Sequence, residues 1–180
     1  MIYSNMGFKI SLSLVAGNQN NWVSLPYYNS FATSTDVRTD LANAGFTGVV
    51  VSRFDPTIGI YTNDGGRNPF TIIPGEALLI KVTTETGQWV AVGSHNPSLA
   101  LTLTVGDNNY VSVPYHTTAT SAATLFGQIP NCYSISRFDN TTQAYVDNYG
   151  SPTINNFSLQ PGEGLVITVS STCTWKPQTY

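Results

Sequence analysis

Asn20-Asn21-Trp22-Val23-Ser24-Leu25-Pro26-Tyr27 returns 88 positions later as Asn108-Asn109-Tyr110-Val111-Ser112-Val113-Pro114-Tyr115. Two further blocks follow in the same order. Val51-Ser52-Arg53-Phe54-Asp55 recurs as Ile135-Ser136-Arg137-Phe138-Asp139, and Pro74-Gly75-Glu76-Ala77-Leu78 as Pro161-Gly162-Glu163-Gly164-Leu165. A strand-like stretch ahead of the first block repeats too, Leu12 to Gly17 resembling Leu101 to Gly106. Ordered blocks whose offsets differ by only a few residues mark an internal duplication. The chain therefore reads as two tandem units, 1–95 and 96–180, joined near Asn96-Pro97-Ser98.

Within each unit the apolar residues alternate over short runs. Phe8, Ile10, Leu12 and Leu14 are separated by polar positions, which is the period of a half-buried strand rather than the continuous apolar core of a signal peptide. On this reading a secreted form has already lost its leader or is exported without one. A short helix follows Pro26 or Pro114. Thr35 is its expected cap in the first unit, with Val37, Leu41 and Ala44 on one face; Ala122, Leu125, Phe126 and Ile129 do the same in the second. Pro74-Gly75 and Pro161-Gly162 predict tight turns launching the apolar strands Ala77 to Val82 and Leu165 to Val169. Short strands punctuated by turns predict an all-β chain of two pseudo-symmetric sandwich or barrel units, each with one short helix.

Composition narrows the function. Only 9% of the 180 residues are charged, against about 25% in an ordinary soluble domain. The surface must be built from amides and hydroxyls, with few charges to guard sheet edges. A net charge of −3 without a basic run argues against nucleic acid. No apolar run approaches the ~20 residues of a membrane-spanning helix.

The repeated blocks resemble a module of large secreted and surface proteins of bacteria and archaea, in which Trp/Asn-x-Val/Ile-Ser-Leu-Pro, a short helix, Val-x-Arg-Phe/Trp/Tyr-Asp and Leu-x-Pro-Gly-Glu/Arg-Gly follow one another. The likeness covers nearly the whole chain twice, and the first unit departs from it at Ala77. The resemblance implies an extracellular, accessory and non-catalytic role, and names no ligand.

Arg53, Asp55 and Glu76, with Arg137, Asp139 and Glu163, are the expected charge cluster. An acid pair for glycoside hydrolysis is one reading of them; an Arg–carboxylate brace holding strands in register is the other, favoured because both halves carry it. Trp22, Tyr27 and Tyr28, with Tyr110, Tyr115 and His116, offer material for a sugar-stacking surface, or for a core or subunit interface. Cys132 and Cys173, both absent from the equivalent places near Gly48 and Thr86, predict a disulfide contributing about 4 kcal/mol. Asn140 and Asn156 head Asn-x-Ser/Thr triplets and are possible glycosylation sites. His95 and His116 stand at no metal-ligand spacing and read as exposed turn residues. Asp64-Gly65-Gly66 fits a turn better than a calcium loop. No cofactor is implied. The expected function is a non-catalytic extracellular subunit that assembles with itself into a filament, sheath or surface layer, Met1 to Gly7 being placed to reach a neighbour's sheet edge. The alternative is a secreted carbohydrate-binding or adhesion module.

Overall fold

A computed structural model describes residues 7–94, 96, 98–113, 115–150 and 155–178. The proposed strand-donating leader, His95 and part of the junction therefore lie outside the described residues. The first unit runs β1 (Phe8–Leu14), β2 (Asn21–Ser24), β3 (Tyr28–Asn29), α1 (Ser34–Asn43), β4 (Val50–Asp55), β5 (Ile60–Asp64), β6 (Ala77–Lys81) and β7 (Gly87–Ser94). The second runs β8 (Leu101–Leu103), β9 (Asn109–Ser112), α2 (Ala122–Gln128), β10 (Cys132–Asp139), β11 (Ala144–Gly150), β12 (Gly164–Val169) and β13 (Cys173–Trp175).

All strand pairs are antiparallel, and the strand order repeats. One four-stranded sheet is β2-β6-β4-β5 and the other β9-β12-β10-β11. Opposite the first lies β1-β7-β3, opposite the second the two-stranded β8-β13. Each unit is thus a small sandwich with a helix at its flank. Alternation does what the sequence asks of it. In β1 the residues Ile10, Leu12 and Leu14 point inward and meet Val23, Val51, Leu78 and Ile80 from the larger sheet and Val37 and Leu41 from α1. Leu103 and Trp175 meet Val111, Ile135, Leu165 and Ile167 in the same way.

Both helices begin in a capping box. Thr33 caps α1, two residues before the expected Thr35, because Asp36 stands three positions on and returns the bond to the cap. Ser121 and Thr124 do this for α2. Helix α1 ends in a Schellman motif: Gly45 takes φ +97°, Phe46 N–H bonds Leu41 O at 3.1 Å, and Gly45 N–H bonds Ala42 O at 3.0 Å. Ala44, expected on the buried face, is the exposed cap residue. Helix and small sheet are tied by Trp89 Nε1, which donates to Asp40 at 2.7 Å.

Candidate functional site

The three repeated blocks meet where the two units join. In each Ile/Gln-Pro-Gly-Glu turn the glycine adopts positive φ, +88° at Gly75 and +89° at Gly162, the type II geometry that suits Pro-Gly. The turn's carbonyls face the other unit. Ser112 N–H bonds Gly75 O at 2.9 Å and Ser24 N–H bonds Gly162 O at 3.0 Å. The hydroxyls follow the same exchange, Ser112 Oγ donating to Glu76 O at 2.7 Å and Ser24 Oγ to Glu163 O. The serine of Val-Ser-Leu/Val-Pro in one copy therefore grips the Pro-Gly-Glu turn of the other.

Equivalent residues also meet each other. The rings of Trp22 and Tyr110 stack with centroids 4.0 Å apart and planes 10° off parallel. A Cβ on Gly164 would stand 3.1 Å from the Cβ of its counterpart Ala77. That self-contact is the signature of a two-fold axis. Phe54 and Phe138 pack edge-on around this centre, against Tyr110 and Tyr145 respectively. The symmetry breaks at the β10–β11 loop. Asn140 and Gln143 of the second unit bond the β2 backbone through Trp22 N–H at 3.0 Å, Asn20 N–H at 2.7 Å and Asn20 O at 2.9 Å. Pro56 and Gly59 take their places in the first unit, and neither has a side chain able to do this.

Each side of the junction holds a cleft. One, of about 340 Å³, lies between Leu12 and Trp22 of the first unit and Arg137, Asp139 and Glu163 of the second. The other, of about 560 Å³, lies between Arg53, Asp55 and Glu76 of the first unit and Leu101 and Val111 of the second. The charged triads thus fall in matching places, but the predicted brace holds in only one. Arg137 pairs with Asp147 and, at 3.4 Å, with Glu163, whose second oxygen accepts Gln160 N–H at 3.0 Å. In the first unit Thr62 occupies the position facing Arg53 where Asp147 faces Arg137. Both arginines also donate to a carbonyl and lie over a ring, Arg137 to Ser158 O at 3.3 Å over Phe157 and Arg53 to Thr71 O at 3.4 Å over Phe70, and among the described residues Arg53 keeps only these contacts. Glu76 is left with a buried Oε2 that has no hydrogen-bond partner. Burial pushes its carboxyl up to about 7, Arg53 opposing and Asp55 adding to the shift. Burial raises Glu163 as well, against Gln160 N–H and Arg137.

The aspartates leave the brace altogether. Asp55 Oδ1 accepts Thr57 N–H at 2.9 Å, and Asp139 Oδ1 accepts Thr141 N–H at 2.7 Å and Thr142 N–H at 3.0 Å. They close the β4–β5 and β10–β11 turns, and those N–H bonds hold the Asp139 carboxyl below its usual range.

Because the folded carboxyl of Glu76 has a raised pKa, its protonated state favours folding. That contribution is complete below about pH 4.5 and is lost as pH rises through about 7. Glu76→Gln is expected to raise the melting temperature at pH 8 and to leave it unchanged near pH 4, as thermal melts monitored by circular dichroism at both values will show.

The remaining candidates separate clearly. Trp22 and Tyr27 are buried, at 6% and 5% exposure, so neither offers a face to a sugar; Tyr27 donates to Ser112 O at 3.1 Å, and burial raises its phenol. Tyr28 is exposed and Tyr115 stacks on Phe8. His116 is half-buried rather than exposed, edge-on to Phe8. Cys132 and Cys173 correct the disulfide expectation. Both are free thiols; Cys173 Sγ donates to Pro130 O at 3.0 Å, and burial, then Cys173, pushes Cys132 up to about 12. Sequence spacing carried no information on the separation of the two sulfurs. Asp64 is fully buried, accepting Ser34 Oγ at 2.7 Å and Gly66 N–H at 2.8 Å beside Arg38. Burial alone would raise it, but these partners hold it low. No group of three metal-ligating side chains occurs among the described residues. Asn140 is committed to Trp22, whereas Asn156 is exposed, its Oδ1 accepting Ala123 N–H at 2.9 Å.

Sequence reasoning passed over Asn21, Asn109, Ser24 and Ser112 as site residues. Their identity at matching positions of the two copies was the available signal. Comparisons with models of protein families, with curated proteins and with solved structures find no match to this chain.

Proposed function

We propose that the protein is a non-catalytic structural subunit of an extracellular assembly, built by pairing of sheet edges between copies. The observation that carries this reading is the edge strand β5. Among the described residues it pairs on one side only, with β4, in an unbroken register from Val51↔Asp64 to Asp55↔Ile60. Ile58, Ile60 and Tyr61 around it are exposed, at 62%, 55% and 41%. Ile60–Asp64 contains no lysine, arginine or proline, and its one acid, Asp64, is turned inward. The devices that keep edges apart are absent from this strand: bulge, outward charge and proline. The counterpart β11 is less inviting, with a register shift between Arg137 and Phe138 and Asn155 N–H bonded to Asn148 O. The low charge and the resemblance of the repeated blocks to surface modules support the extracellular setting.

Light scattering and negative-stain microscopy across a concentration series test the reading. Assembly is expected for the native chain and is expected to be abolished by Ile60→Lys, an exposed substitution that leaves the fold intact. A native chain that stays monomeric at high concentration overturns it. A second reading, a glycan-binding module, draws on the cleft of about 530 Å³ lined by Tyr61, Asn63, Ser52 and Asn20. That mix of an exposed ring with amides and a hydroxyl suits a neutral sugar, and a glycan array with a Tyr61→Ala control discriminates it.

A further inference from the structure

Two clefts of common ancestry have diverged in one respect, and the difference points to a ligand. In the cleft of the second unit, the glutamate is saturated: Arg137 at 3.4 Å and Gln160 N–H at 3.0 Å occupy its two oxygens. Both arginines donate to a carbonyl and lie over a phenylalanine ring, Arg53 at Thr71 O and Phe70, Arg137 at Ser158 O and Phe157, but Arg53 is not paired with its glutamate and Glu76 Oε2 is buried without a partner. A buried carboxylate oxygen left unpaired is costly, so a site that keeps one is suited to a donor supplied from outside. The surroundings define that donor. Ile73, Leu99, Leu101 and Val111 form an aliphatic wall beside Glu76, and two carboxyl groups, Glu76 and Asp55, line the cleft against the single guanidinium of Arg53. The walls take an alkyl stem and the excess negative charge takes a cation.

We propose that the cleft between Glu76 and Leu101 binds a primary ammonium group on an aliphatic stem, the chemistry of a lysine side chain or an alkylamine. The ammonium pairs with the Glu76 carboxylate, a turn of the side chain bringing Oε2 to the cleft, and the stem lies along Leu99, Leu101 and Val111. The partner must meet an ionised Glu76, so binding strengthens as pH rises through about 7 and the amine is still protonated. Arg53 and Asp55 are the other charged groups facing Glu76; neither saturates it. The matching cleft around Glu163 does not bind, because Arg137 already fills the role.

Saturation-transfer difference NMR on the full chain, with n-butylammonium as the probe, tests this whether or not the chain assembles. At pH 8.5 saturation is expected to reach the butyl methylenes. Affinity is expected to fall about tenfold or more in Glu76→Gln, the loss of one charge-assisted bond, and comparably at pH 5.5. Glu163→Gln is expected to bind as the native chain does, and 1-butanol to give little transfer. Equal transfer to 1-butanol, or a Glu76→Gln variant that binds n-butylammonium unchanged, overturns the proposal. Neither result bears on assembly through β5, which Ile60→Lys reads separately.

Discussion

Replacing Asn21 with alanine is expected to destabilise the protein by about 3–5 kcal/mol, a large share of the roughly 5–15 kcal/mol that holds a domain folded. The side chain is fully buried, and both of its polar atoms are hydrogen-bonded, the two N–H groups being shared among three carbonyls. Its Nδ2 donates to Val15 O at 3.0 Å, Gln19 O at 3.2 Å and Ile80 O at 3.1 Å, and its Oδ1 accepts Val15 N–H at 2.7 Å. One amide thus joins the end of β1, the turn into β2 and the neighbouring strand β6. Alanine removes the partner of the buried Ile80 O and of the half-buried Val15 N–H and O, each contributing about 1 kcal/mol or more to the loss, while the exposed Gln19 O turns to water. Asn109 repeats the arrangement with Thr104 O at 3.0 Å, Ile167 O at 3.1 Å and Thr104 N–H at 2.8 Å, its contact with Asp107 O being longer at 3.5 Å. Asn109→Ala is expected to cost slightly less. Urea denaturation measures both; a midpoint shift worth under about 1 kcal/mol at unchanged slope shows that the amide is dispensable.

Such residues show where sequence reading stops. Alternation identified the inward residues of β1 because a strand's period is a local property. The Pro-Gly turns were legible for the same reason, since positive φ at the second position is a demand on one residue. What alternation could not say is what covers the outward face. Trp22 was left between a sugar-stacking surface and a core or interface, and that Tyr110 of the other unit closes over it depends on how two sandwiches dock. The same gap explains Arg53 and Asp55. Spacing i, i+2 places both on one side of β4, yet Asp55 stands at the strand's end, where the N–H of Thr57 lies closer than a guanidinium. Strand β13 escaped notice because only Cys173–Trp175 pairs with β8, too short for a period. Its Trp175 occupies the core place that Trp89 holds in the first unit.

Trp22→Ala is expected to cost about 3–5 kcal/mol, and more revealingly to uncouple the two units. The ring is shared property. It lies outside the core of its own sandwich, in a separate cluster with Ala77 and Leu79 against Tyr110 and Phe138. Truncation therefore leaves Leu12, Val23 and Leu78 packed as before while opening a cavity at the junction. The stacked pair with Tyr110 is lost too, a further contribution of about 1 kcal/mol. The serine-to-turn bonds, the bonds of Asn140 and Gln143 to the Asn20–Trp22 backbone and that of Tyr27 to Ser112 O then remain between the units. Calorimetry is expected to show one transition for the native chain and two for Trp22→Ala, since each unit keeps its own core. Tyr110→Phe is the control. It keeps the stack and removes only hydroxyl contacts with Tyr61 at 3.2 Å and Tyr145 at 3.3 Å near the surface, so one transition should persist. A single sharp transition in Trp22→Ala, lowered or not, would mean that the coupling resides in the hydrogen bonds between the units, the exchange of Ser24 and Ser112 with the two Pro-Gly-Glu turns and the bonds of Asn140 and Gln143 to the Asn20–Trp22 backbone. The stacked rings would then fill space that those hydrogen bonds had already enclosed.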